Sequence, residues 1–306
     1  MPIKKYVKIS GFHSPVLIGS RAGILDAANV APMGIPAKPA SEIVRPRLEA
    51  GTGFEYLGGI SLPARSTADR NVAKASAAHC TGHTVIGDGD GVVMQAESYL
   101  ELCNLQLLNA KLNVTSLKEQ VRFTFGFHKL RQQEHVFDVV ADLENGDRIA
   151  FAVKPTVRLR SGRFLSEMQT VAWWVRERGF ADEVRIISEA DFSPTDQKNA
   201  AIFAAVRGSD PAADEAARRV AENIPSSRSR SLRALTIETG LEARGYRALL
   251  RLVRSGVLVT PGHLVLTPNA AVMKAADCTY AAQLARQRRL VANTTIPGGP
   301  VAGGVS

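Results

Sequence analysis

Phe137-Asp138-Val139-Val140-Ala141-Asp142-Leu143-Glu144-Asn145-Gly146-Asp147-Arg148-Ile149-Ala150-Phe151-Ala152-Val153-Lys154-Pro155 reads as two strands and the turn between them. β-Branched and aromatic residues dominate both halves, and such side chains favour an extended chain. Asn145-Gly146 supplies the positive φ that a tight hairpin demands. The expected strands cover 135–143 and 148–155, preceded by another over 120–127. A period of two puts Asp138, Val140 and Asp142 on one face of the first strand. On the second, Ile149, Phe151 and Val153 face one way, and Ala150, Ala152 and Lys154 the other. A carboxylate on one strand and an ammonium on its hairpin partner then converge on one patch.

Working outward, leucines at 100, 105, 107 and 108, with Tyr99 and Cys103, give an amphipathic helix over 97–109. Another helix is expected over 163–178, with Phe164, Leu165, Met168, Val171, Ala172 and Val175 on one face and Gly179 as its C-cap. A strand over 184–187 follows. Helix, three strands, helix and strand make a mixed α/β core. Before it, residues 1–95 are broken by Gly and Pro and read as an extended, partly disordered arm with a few short strands. The expected division is arm 1–95, core 96–194, a second unit 195–275, and a disordered basic Gly/Pro tail 276–306.

Composition narrows the function classes. The chain has 306 residues, 45% of them apolar and 6% aromatic, with 38 Lys and Arg against 29 Asp and Glu. The resulting charge of +9 and pI near 9.7 favour an anionic partner, most often nucleic acid. No apolar run is long enough to span a bilayer, so no membrane association is expected. Three well-separated cysteines imply no disulfide framework, and the chain reads as cytoplasmic.

The second unit is expected to contain helices over 214–223, 231–239 and 241–255, with Gly240 as the turn between the last two. Leu232, Leu235 and Ile237 would pack beneath Leu241, Leu249, Leu250 and Val253. Strands over 257–260 and 264–267, joined by Pro261-Gly262-His263, would form a wing, with a short helix after Pro268. The last long helix carries Arg244, Arg247, Arg251 and Arg254, and three of these share a face at 3–4 spacing. Guanidinium groups there suit DNA phosphates and guanine edges, with His263 on the wing beside them. The whole reads as a winged helix that binds double-stranded DNA.

Phosphodiester hydrolysis needs what the first patch offers. Hard oxygen ligands hold Mg²⁺ (or Mn²⁺), and a lysine stabilises the pentavalent state or orients water. Glu101 or Glu97, on the preceding helix, would supply a second acid. Glu97-Ser98-Tyr99-Leu100-Glu101, then Val114, Ser116 and Glu119-Gln120, then Phe137-Asp138, Asn145-Gly146 and Val153-Lys154-Pro155 together resemble the TnsA endonuclease family. That family belongs to the restriction-endonuclease-like superfamily with its PD-(D/E)xK signature. The resemblance runs in order from 97 to 155, and the next helix and Ile187-Ser188-Glu189 also fit. It implies a restriction-endonuclease-like core with a C-terminal winged helix.

By the resemblance, Asp138 matches the metal-binding aspartate, Lys154 the catalytic lysine and Glu101 the helix glutamate, with Glu97 as its alternative. It also implies cutting of DNA at transposon ends, with a DDE transposase and an AAA+ ATPase as partners. Two departures stand out: Phe137 replaces a proline, and Ala152 replaces a Glu or Gln ligand. The Val153 backbone carbonyl and Glu101 would then have to compensate. Two other readings stay open: a catalytically degenerate DNA-binding or regulatory protein on the same fold, and a nuclease of another mobile-element, phage or defence system.

Several motifs point elsewhere only weakly. Cys80 and His83, beside His79, lack a second ligand pair for zinc, and Asp88 and Asp90 lack the closing Glu of a calcium loop. Trp173-Trp174 reads as one core and one boundary residue. His135 and His128 flank a polar turn near the site, and His135 offers a general base or an exposed strand end. Arg158, Arg160 and Arg163 offer DNA contacts at the cleft mouth or a solvated loop.

Overall fold

Gly146 takes a φ of +89° and reverses the chain where Asn-Gly demanded it. The structure is a computed structural model that describes residues 62–72, 80–128 and 131–278. The arm expected over 1–95 lies largely outside the described residues, as does the tail from 279 onward.

β1 (Gly82–Ile86) and β2 (Val92–Ala96) pair antiparallel around the Gly-Asp-Gly-Asp-Gly turn. This end of the expected arm is ordered by the core: Ile86, Met94 and Ala96 pack with Leu105 and Leu108 of α1 (Tyr99–Asn109). Helix α1 starts where Ser98 accepts the Glu101 N–H and the Glu101 carboxylate reaches back to the Glu97 N–H at 2.8 Å. Ser98 thus caps the helix, and the Glu101 carboxylate holds the residue before the cap.

β3 (Val114–His128), β4 (Arg131–Leu143), β5 (Arg148–Val153) and β6 (Glu183–Ile187) form one sheet in that order. β3, β4 and β5 run antiparallel, and β5 and β6 run parallel, so the sheet is mixed. β3 begins six residues before its expected start at 120. The turn expected over 129–134 is largely strand, because β4 already starts at Arg131. Between β5 and β6 come the short α2 (Thr156–Leu159) and α3 (Arg163–Glu177). Met168, Val171, Ala172 and Val175 of α3 cover one face of the sheet; α1 and the β1–β2 hairpin cover the other.

α4 (Pro194–Ala205) was not expected. Its sequence is Ala-rich with little amphipathic contrast, yet Ser193-Pro194-Thr195-Asp196 makes a capping box with Pro in the first turn. α5 (Pro211–Glu222), β7 (Arg230–Ser231), α6 (Leu232–Thr239), α7 (Glu242–Arg254), β8 (Leu258–Val259) and β9 (Ala271–Lys274) follow. The α6–α7 crossing is tight at Gly245, where a Cβ would lie 1.9 Å from Thr239 Oγ1. Leu232, Leu235, Leu249 and Val253 share the core expected of them, but Ile237 does not, being 75% exposed.

The expected wing also differs. Residues 264–267 form no strand; β9 pairs with both β7 and β8, where a short helix was expected. Asn199 of α4 explains the loop: its side chain accepts the Leu266 N–H and donates to the Leu264 carbonyl, both at 2.9 Å. These bonds take the backbone groups a ladder would have used. Among the described residues no helix is long and apolar enough to cross a membrane.

Candidate active site

β4 and β5 stay paired as far as Val139 and Phe151 and then part. Asp138 sits at this fork, where its Oδ2 accepts the Val153 N–H at 2.6 Å. The strict alternation expected of β4 breaks here. Val139 and Ala141 face α1, whereas Phe137 joins Val140 in the cluster on the α3 side. β3 makes the same change of face between Leu117 and Val121, and Gln120 between them holds a φ of +51°. A non-glycine residue there costs about 1–3 kcal/mol and is retained when its side chain is held firmly.

Glu119 pairs with Val139 and Val121 with Phe137, so Gln120 lies across from Asp138. Gln120 is fully buried and donates from Nε2 to Glu101 Oε2 at 3.4 Å. Glu101 is 8% exposed and also accepts from the Ser98 hydroxyl at 2.9 Å. Lys154 follows directly after β5. Its N–H donates to the Ile187 carbonyl at 2.9 Å, and its ammonium stands 5.5 Å from the centre of the Phe164 ring. Glu189 fixes the next turn by accepting both the N–H and the hydroxyl of Thr156.

The charges of this group act on one another. Burial pushes the Asp138 carboxyl up to about 6; Lys154 opposes the rise, Glu101 adds to it, the Val153 N–H opposes it, and Glu97 adds a little more. Asp138, Glu101 and Lys154 are thus brought together, with Glu101 acting on Asp138 more strongly than Glu97 does. Glu97 instead pairs with Arg70 at 2.9 Å.

His135 is mostly enclosed, edge-on to Phe137 at 4.7 Å, and its Nε2 is buried without a hydrogen-bond partner. Burial, then the charge of Lys154, lowers its pKa to about 4, so it stays neutral; it is no exposed strand end.

Sequence reasoning missed the segment that covers this corner. Residues 64–72 cross the edge of the sheet: Asp69 pairs with Lys118 at 2.6 Å, and Ser66 donates to Glu119 at 2.5 Å. Arg70 donates to Gln120 Oε1 from Nη2 at 2.6 Å and from Nε at 3.2 Å. Glu119 is fully buried, and its Oε2 has no partner. Adjacent polar residues inside an otherwise alternating strand, Glu119-Gln120, were the available signal.

The other expected DNA contacts fare differently. Arg158 lies on α2 and Arg160 caps it; both are exposed just beyond Lys154. Every arginine singled out on α7 has a partner inside the chain. Arg244 makes a two-pronged bond to Asp210 at 2.8 and 2.9 Å, which holds that carboxyl at about 2. Arg247 donates to the Ala205 carbonyl at 2.7 Å, Arg251 to Asp214 at 2.7 Å, and Arg254 pairs with Asp88 at 3.0 Å. The side chains of Arg251 and Arg254 are only 14% and 18% exposed, whereas Arg244 and Arg247 stay exposed while bonded within the chain. His263 lies beside Ser193 and Asp196 at the start of α4, 2.9 Å from the Ser193 hydroxyl, not on a strand-borne wing.

Among the described residues no three His, Cys, Asp or Glu side chains form a ready cage for a metal ion. What fits a divalent cation is narrower. Asp138 keeps Oδ1, and Glu101 has four lone-pair positions against three donors. Mg²⁺ binds through one or two carboxylates with water and phosphate oxygens completing its shell, so this donor set suits it. Ala152 contributes no oxygen. No protein-family model matches this chain, and no curated protein matches it.

Proposed function

We propose that this chain is a metal-dependent DNA endonuclease with a restriction-endonuclease-like core and a C-terminal winged helix, of the kind the TnsA resemblance implies. The observation that carries this reading is the group at the fork of β4 and β5: a buried aspartate with a raised pKa, a helix glutamate and a lysine, acting on one another. A bound Mg²⁺, or Mn²⁺ in its place, supplies Lewis-acid polarisation of a phosphodiester and a more acidic water. Asp138 and Glu101 would hold it, with the Val153 carbonyl as a further oxygen. Lys154 places a cation beside them to stabilise charge on the phosphoryl group. Exposed Arg158 and Arg160 extend the positive surface toward a DNA backbone, in keeping with the charge of +9.

A transposition setting, with cutting at transposon ends and with a DDE transposase and an AAA+ ATPase as partners, belongs to the same proposal, as does a cytoplasmic location. The test is incubation of supercoiled plasmid with Mg²⁺ or Mn²⁺ and the wild-type chain, Asp138→Ala or Lys154→Ala. Nicking or cutting by wild type and by neither variant supports the reading. Cleavage that survives in both variants contradicts it.

A second reading has an observation of its own. Ala152 removes a ligand, and both Glu101 oxygens already serve the helix cap. These favour a DNA-binding or regulatory protein that has lost the chemistry. It predicts DNA binding that is indifferent to divalent metal and to Asp138→Ala.

A further inference from the structure

We propose that Arg70 is a phosphate-contacting residue of this site, the second cation beside Lys154; this rests on the nuclease reading. Asp138 lies between two strands: toward β5 it binds the Val153 N–H, next to Lys154, and toward β3 it faces Gln120, which Arg70 holds. Lys154 thus approaches the acids from the β5 side, and Arg70 from the β3 side through Gln120 and Glu97. Three acids, Glu97, Glu101 and Asp138, act together here; a divalent cation and one lysine would only balance them, so an approaching DNA phosphate calls for further positive charge.

Arg70 is built for that contact. Glu97 and Gln120 orient its guanidinium through Nε and Nη2, which leaves the two N–H groups of Nη1. Its side chain is 41% exposed, so it reaches solvent where Gln120 and Glu101 do not. A planar guanidinium already held by an acid and an amide loses little freedom when Nη1 contacts a phosphate oxygen.

The test measures binding of the full chain to a labelled DNA duplex across a salt series without divalent metal, alongside plasmid cleavage. Arg70→Ala is expected to lower the slope of log affinity against log salt by about 1 and to weaken binding. Arg70→Lys is expected to restore the slope but not full cleavage, because it keeps the charge and loses the fork. Glu97→Gln, which removes a competing carboxylate, is expected to tighten binding. If Arg70 merely neutralises Glu97, the double variant Arg70→Ala with Glu97→Gln will recover the wild-type affinity and salt slope, and the proposal falls. An unchanged slope in Arg70→Ala overturns the proposal alone. Absence of salt-dependent DNA binding by wild type overturns the nuclease reading with it.

Discussion

Asp138 carries a cost that its position explains. Its ordinary pKa of 3.8 rises to about 6, so the native state binds the proton more tightly than the unfolded chain does. Stability therefore falls as pH climbs from about 4 through 6, and the full cost is present above 6. Asp138→Asn, which still accepts the Val153 N–H, is expected to stabilise the protein by about 1–2 kcal/mol at pH 8 and not at pH 4, as read by denaturant unfolding at both. The same substitution is expected to abolish cleavage. Of this residue the sequence made legible the neighbours but not the direction. Alternation put Asp138 and Lys154 on one patch, and they do act on each other, but the face change at Gln120 and Asp138 was invisible to a period of two. Arg70 was out of reach because only the fold brings it beside Gln120, 50 positions along the chain.

At the scale of elements, apolar residues at helical spacing made helices readable even where, as in α3 and α7, no side chain caps them. α1, α3, α6 and α7 lie within a few residues of expectation. α4 was lost because alanine carries no periodic signal, and the wing was displaced because Asn199 takes over the backbone of 264–266. The arginines of α7 teach a related lesson: spacing shows that they share a side, not which side faces water. Asp214→Ala would strand a mostly buried Arg251 and is expected to cost about 3 kcal/mol by chemical denaturation. Arg244→Ala, an exposed pair, is expected to change stability little. Gly245→Ala would force a Cβ onto Thr239 and is expected to cost about 2–3 kcal/mol, with the α6–α7 unit loosened in hydrogen exchange.

At the scale of the whole molecule, a mixed α/β chain places its acids and lysine where a sheet opens. The arginines of α7 each have a partner within the chain. In the proposed reading, a DNA phosphate would be met at the surface around the fork, where Arg70, Lys154, Arg158 and Arg160 carry positive charge. Cleavage would depend on partners if the transposition setting holds, whereas the proposed metal site would depend only on this chain. The most direct measurement is therefore calorimetric titration of Mn²⁺ into wild type and Asp138→Asn at pH 5 and pH 7.5. Wild type is expected to bind at pH 7.5 and more weakly at pH 5, as the proton on Asp138 competes, and the variant not at all. Binding that is absent from wild type at both pH values, or that is undiminished in Asp138→Asn, would contradict the proposed metal site.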